Sequence, residues 1–322
     1  MAPPDYAPLP SLDDTSLVDN VFEELWFGDS DPRRTREEAS QSLAAAAGKA
    51  AGLKPFPVVA QRVIALLSNP DCGISEVHEE IERDPALTAR ILQVANSVAF
   101  RPIHPYASIN EAIVRLGKTT VEEIVWGVAT MQLFDDVTGL GAQVRNHTAA
   151  VAGIVRVLAY EWGSQNVSQA FIAGMFHDIG KLLSLQVREI DYKSFSDDHF
   201  GQPDALHLME RQTSGYDHAV LGAHVMEDWG LPRDVCRAVA WHHQPGRAYE
   251  VGGDVGLTVA LVRLANNIEY QLTKSTEVDE LYLERLVQAG DASYSGYGRE
   301  ILTAMWPKLV EARAETVSVF VR

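Results

Sequence analysis

Phe176-His177-Asp178-Ile179-Gly180-Lys181 stands near the middle of the chain, led in by the apolar run Ala170-Phe171-Ile172-Ala173-Gly174-Met175. A neutral imidazole beside a carboxylate offers one nitrogen and up to two oxygens to a metal. The carboxylate can also bridge two ions, as two-metal hydrolytic sites require. Lys181 follows Asp178 by three residues, so on one helix the two share a face where the ammonium could meet a phosphate. A lone His-Asp pair is more often an ordinary polar pair on a packed helix. This one keeps company with His147, His218, His242 and His243.

On both sides of the hexapeptide the apolar residues recur at helical spacing. His147, Val151, Ile154, Val155 and Leu158 form one stripe, and Asp217 to Trp229 puts His218, Leu221, Gly222, Val225 and Trp229 on one face, with His224 off it. Arg233 to His243 reads as a helix stopped by Pro245, and Leu257 to Leu272 as another carrying Asn266. Upstream, an alanine-rich helix is expected over Leu43 to Ala51, then Val58 to Leu67. Further helices are expected to open at Ser75 as N-cap, at Asp84-Pro85 as N-cap and N1, and at Ser108; a longer one covers Thr119 to Leu133. Residues 276 to 322 make two or three helices, although Thr316 to Val321 is β-branched enough to be ambiguous. No alternating pattern longer than four residues occurs before that point. The layout is all-α.

Composition narrows the classes. With 322 residues and 46 % hydrophobic content the chain can bury a substantial core, and no run nears the ~18 apolar residues of a membrane span. The start, Met1-Ala2-Pro3-Pro4-Asp5-Tyr6, has neither a basic nor an apolar leader segment, and Cys72 and Cys236 make no disulfide framework. Both point to a reducing cytoplasm. A net charge of −17 weighs against nucleic acid as partner. Residues 1–42 read as a proline-rich, acidic tail. Within it Leu17 to Phe27 is an amphipathic helix expected to dock on the body or on another subunit of a homo-oligomer, since exposed Trp26 and Phe27 would be adhesive.

Four of these helices place a histidine on the apolar side or at an end. A buried imidazole needs partners for both nitrogens, and Val, Leu and Ile cannot supply them. One such residue is usually a core histidine bonded to a carbonyl. Five, together with Asp178, are harder to explain separately than as one metal or phosphate site. Adjacent His242 and His243 point about 100° apart on a helix, so they could serve two ions, or one ion and a substrate.

The order His147, His177-Asp178, His218, His242-His243 resembles the HD superfamily of metal-dependent phosphohydrolases, in its HD-GYP and HDOD branches. Leu53-Lys54-Pro55-Phe56-Pro57, Arg83-Asp84-Pro85-Ala86-Leu87, Val94-Ala95-Asn96-Ser97 and Asn110 to Gly117 are similar to HDOD segments. So are Phe176 to Lys181, Trp229-Gly230-Leu231-Pro232 and Trp241-His242-His243-Gln244-Pro245. The resemblance covers about residues 45–270. It implies two helical lobes, an HDOD-specific bundle over 43–136 and an HD-type bundle over 141–272, with helices of 273–322 packed on the body. It implies one or two divalent ions (Fe, Mn or Zn) on His147, His177, Asp178, His218, His242, His243 and Asn266. If the site were active, Asp178 would bridge the ions and Lys181 would steady a phosphate oxygen.

Three departures from the catalytic pattern bear on function. Asn266 stands where catalytic HD proteins bring an aspartate, Gln143 where three-metal HD-GYP enzymes bring a glutamate, and the Gly-Tyr-Pro loop after the paired histidines is missing. The resemblance therefore implies a bacterial regulatory module, acting through a signalling protein partner or a nucleotide second messenger in two-component or cyclic-di-GMP circuits. The alternative is a metal-dependent cyclic-dinucleotide phosphodiesterase.

Overall fold

A computed structural model describes residues 36–53, 55–67, 69, 71–96, 104–134, 139–164, 166–188, 190, 192 and 206–321. The expected helix over Leu17 to Phe27 lies outside them. In chain order α1 (Arg36–Leu53), α2 (Val58–Leu67), α3 (Ile74–Glu82), α4 (Pro85–Ala95), α5 (Ile109–Leu116) and α6 (Lys118–Leu133) come first. Then follow α7 (Leu140–Trp162), α8 (Val167–Phe176), α9 (Ile179–Val187), α10 (Leu206–Ser214), α11 (His218–Asp228), α12 (Arg233–Trp241), α13 (Pro245–Val251) and α14 (Gly253–Leu272). The chain closes with α15 (Glu280–Gln288), α16 (Gly290–Ser295) and α17 (Arg299–Phe320). No strand occurs among the described residues. The fold is all-α.

Several helix starts follow from the residue before them. Asp84 accepts from the amides of Ala86 and Leu87, both at 3.0 Å, with Pro85 at N1 of α4. Ser108 accepts from Glu111 N at 3.2 Å, and Glu111 in turn accepts from Ala107 N at 3.0 Å, a variant of the reciprocal cap. Asp217 caps α11 by accepting from Val220 N.

Three expectations need correcting. The alanine-rich helix starts at Arg36, not Leu43, and packs on α9 and α11 of the second half of the chain. Helix α3 starts after Gly73 with no side-chain cap, so Ser75 lies inside its first turn. Pro245 does not merely end a helix; it opens α13 from N1, while α12 stops at Trp241 with His242 as its C-cap. The ambiguous stretch Thr316 to Phe320 resolves as helix, because α17 packs along α7 and that burial outweighs β-branched preference.

Helix α7 is the central strut, flanked by α8, α14 and α17. Its contact with α17 is close: a β-carbon on Gly153 would meet the carbonyl oxygen of Ala312 at 2.7 Å and the Thr316 side chain. The halves join through four buried aromatic residues. Phe56 stacks at tilted angles on Trp126 (5.1 Å between centroids) and Trp229 (5.5 Å), and Phe176 meets Trp126 edge-on at 5.8 Å. Phe56, Phe176 and Trp229 belong to the segments that carry the family resemblance. Their chemistry at these positions is packing, and Phe176 passes it directly to His177. A buried Glu123 reinforces the junction, accepting from Arg156 Nε at 2.9 Å and Ser168 Oγ at 3.0 Å.

Candidate metal centre

Helix α8 ends and α9 begins at the His177-Asp178 pair, His177 being the C-cap of one and Asp178 the N-cap of the other. The turn carries both side chains into the interior, where they are 0 % and 2 % exposed. Asp178 is the hub. Its Oδ2 lies 3.6 Å from His147 Nε2 and 3.5 Å from His177 Nε2; its Oδ1 lies 3.1 Å from His218 Nε2 and 3.9 Å from His242 Nε2. His243 Nε2 stands 3.0 Å from His218 Nε2. The six side chains thus fall into two groups sharing one carboxylate: His147, His177 and Asp178, and Asp178, His218, His242 and His243.

The opposite edge of each ring next to Asp178 is anchored. Nδ1 of His177 faces Gly174 O at 2.8 Å, and Nδ1 of His242 faces Val239 O at 2.6 Å, each carbonyl one turn earlier on the same helix. His218 Nδ1 lies 2.6 Å from Glu210 Oε2, and His147 Nδ1 lies 2.8 Å from Glu269 Oε2. In a neutral ring an acceptor at Nδ1 fixes the proton there and leaves Nε2 as the lone-pair nitrogen, which is how metal-ligating histidines are held; His218 must first give up the proton its Nε2 shares with Asp178.

Electrostatics follow from burial and these partners. Burial lowers His177 to about 4 and, together with the charges of His177 and His218, holds His242 well below its ordinary value, so both rings are neutral at pH 7. Burial would lower His218 too, but Glu210 and the hydrogen bond to Asp178 overcome it and raise that ring to about 9. Burial opposes ionisation of Asp178; Lys181, then His177 and His218, outweigh it and keep the carboxyl well below the usual range. Lys181 Nζ sits 2.7 Å from Asp178 Oδ2, so the ammonium is paired with the hub.

Asn266, Gln143 and Lys181 line a cleft of about 600 Å³ that opens onto His147 and Asp178. His224, placed off the apolar face from the sequence, belongs to neither group. Reading the sequence missed the residues that orient the rings. Glu210 and Glu269 look like surface carboxylates in charge-rich stretches, yet Glu210 is 0 % and Glu269 4 % exposed. Glu269 could have been found, since it follows Asn266 by one helical turn. Glu210 carries no such signal: it accepts from Tyr192 OH at 2.7 Å and from the backbone of His218 at 2.9 Å, a pairing across a segment without a helical pattern. Arg263 was also missed; it donates to His242 O at 2.6 Å and to Asp291 Oδ1 at 2.8 Å, tethering the α12 terminus to α16.

The donor set fits a divalent transition metal. Imidazole nitrogens with a shared carboxylate suit iron, zinc or manganese. His177 Nε2 and His242 Nε2 are buried polar atoms without a hydrogen-bond partner, which a packed core avoids. The chain therefore carries a His/Asp cluster that could bind metal.

Known proteins bear on the same region. A crystal structure from Shewanella amazonensis SB2B, named as a candidate phosphohydrolase, superposes with a TM-score of 0.70 at 25 % identity, covering 86 % of this chain and 98 % of that one. A signal transduction protein, so named as a candidate, from Marinobacter aquaeolei VT8 has a TM-score of 0.59 at 20 % identity, covering 89 % of this chain and 66 % of that one; it shares the fold. An uncharacterized protein of Treponema pallidum (strain Nichols) is 22 % identical over 235 residues, 72 % of this chain, and the chain spans 46 % of its length. Among the described residues, no helix is long and apolar enough to cross a membrane. The HDOD domain matches residues 53–245, more than half the sequence and the stretch that supplies all six clustered side chains. This chain belongs to the HDOD domain family.

Proposed function

We propose that the chain is a signalling module whose HD half holds divalent metal at the His/Asp cluster and there binds a phosphate-bearing ligand, with hydrolysis absent or slow. The observation that carries this reading is the common presentation of four imidazoles, Nδ1 on an acceptor and Nε2 toward Asp178. Iron, manganese or zinc bound there would supply Lewis acidity to a phosphoryl oxygen. Asp178 offers one oxygen to each group of histidines. Asn266 brings a neutral amide to the cleft where catalytic relatives bring a carboxylate, so the site is one negative charge poorer than theirs. Lys181 is committed to Asp178, which limits its hold on a substrate. Membership of the HDOD family and the name of the Marinobacter protein support a signalling role, with a nucleotide second messenger such as cyclic-di-GMP or a signalling protein as partner.

A metal-dependent phosphodiesterase is the second reading, favoured by the complete set of histidines and the open cleft beside them. Elemental analysis of the purified protein comes first; absence of metal after growth with iron, manganese and zinc would defeat both readings. Turnover of cyclic-di-GMP and simple phosphodiesters is then measured for wild type, Asn266→Asp and Asp178→Ala. Clear wild-type turnover lost in Asp178→Ala makes the chain an enzyme. Activity gained only in Asn266→Asp supports a binding module derived from a catalytic site.

A further inference from the structure

The cleft is walled on one side by α17, which lies beyond the matched HDOD segment and adds Arg313 to a lining shared with His147, Asp178 and Lys181. Among the described residues one hydrogen bond ties Arg313 there: Nη2 reaches Glu269 Oε1 at 3.2 Å. Its Nε is buried without a hydrogen-bond partner among the described residues, while the side chain as a whole stays 29 % exposed. A guanidinium presents five donors in a planar fork and ordinarily meets an oxyanion through two parallel bonds. Glu269 cannot complete that pairing, because its other oxygen is on His147 Nδ1 at 2.8 Å. The fork is thus held in position by one prong, and the exposed remainder of the side chain lines the cleft. The position is rigid. Close approach of α17 to α7 at Gly153 occurs at Ala312 and Thr316, on either side of Arg313 in sequence.

We propose that Arg313 is the anion-recognition residue of this cleft, taking an oxygen of the ligand's phosphate with the exposed end of its guanidinium, the end that Glu269 does not pair. This deepens the metal-and-phosphate reading above and rests on it. Within that reading the ligand class is a small phosphate monoester in preference to a cyclic diester. Such a group carries more charge than a diester at neutral pH, and Arg313 adds a further cation at the rim of a site that already holds Lys181. Glu269 then has two tasks, orienting His147 and presenting Arg313, so ligand contact at the rim is coupled to a histidine of the cluster.

The test is calorimetric titration of the full chain, of measured metal content, with inorganic phosphate and adenosine 5′-monophosphate. Wild type is compared with Arg313→Gln and Arg313→Lys. Arg313→Gln is expected to weaken both probes by about tenfold or more. Arg313→Lys should recover part of that loss, since it restores charge without the fork. Metal content and melting temperature should hold in both variants. Unchanged affinity in Arg313→Gln, or failure of the metal-loaded wild type to bind either probe, overturns the inference. A wild-type protein without metal overturns instead the reading on which it rests. If Arg313→Gln does not fold, Arg313→Lys decides alone: wild-type affinity in a folded lysine variant removes the requirement for the fork.

Discussion

Gly180 faces the main-chain carbonyl of His218 so closely that a β-carbon on it would overlap that oxygen and stand 3.0 Å from the amide nitrogen of Gly222. The glycine of the hexapeptide therefore sets how near α9 comes to α11, and with it the 3.1 Å approach of Asp178 to His218. Gly180→Ala is expected to cost about 2–3 kcal/mol, at the upper end for overpacking because a backbone carbonyl cannot rotate aside. Gly48→Ala provides the contrast. That position is exposed within α1 and has nothing within 4 Å of a β-carbon, so alanine should stabilise by about 0.5–1 kcal/mol. Urea denaturation measures both. Equal stability of Gly180→Ala and wild type would mean that α9 and α11 are not held at this distance.

Two groups sharing one carboxylate make a prediction about stoichiometry. On the two-ion reading, His147→Ala should remove one ion and leave the ion served by His218, His242 and His243. Asp178→Ala should reduce both, since each group loses its carboxylate. Elemental analysis of the purified variants reads this directly. A His147→Ala protein with the full wild-type metal complement would show that only the His218 group binds.

The stability of chelator-treated protein should be pH-dependent in a definite direction. His177 has a folded pKa of about 4 against an ordinary 6.5, so between those values the unfolded chain binds a proton that the folded chain does not. Stability is then lost as pH falls from about 6.5 to 4, by up to about 1.4 kcal/mol per pH unit for this ring, and His242 adds in the same direction. His218 has the opposite sign. Raised to about 9, it contributes stability that is complete below 6.5 and disappears as pH rises through 9. Melting temperature should fall on both sides of neutrality, and the alkaline limb should flatten in Glu210→Gln. A melting temperature level from pH 7 to 5 would contradict the buried neutral state of His177.

The architecture was legible because helix caps and apolar stripes are local signals. Asp84, Ser108 and the stripe of α7 behave in the structure as their sequence positions imply. Boundaries failed where a local rule was outweighed or incomplete. Pro245 is as good a first residue of a helix as it is a last stop, and the ambiguous Thr316 to Phe320 is decided for helix only by burial against α7. At the site, residues that face the centre repeat a recognisable order, whereas those behind them answer only to three-dimensional neighbours. Glu210 and Glu269 sit eight residues before His218 and 122 after His147, and no periodicity joins such pairs.

The close of α17 has a practical corollary. Phe320 packs against Phe171 at 6.0 Å between centroids and fills the space beside Gly127, while Arg90 of α4 donates to its carbonyl at 3.1 Å. One helix thus fastens the far end of α4 and α6 to α8 after passing the cleft. A fragment cut to the family boundaries at 53 and 245 would keep every clustered histidine and lose Glu269, Arg313 and the ring that seals Gly127 and Phe171. It would also lose most of α1 from the back of α9 and α11. The stretch that matches the HDOD domain is smaller than the stretch these contacts tie together, and truncation at the former would expose apolar surface rather than yield a domain.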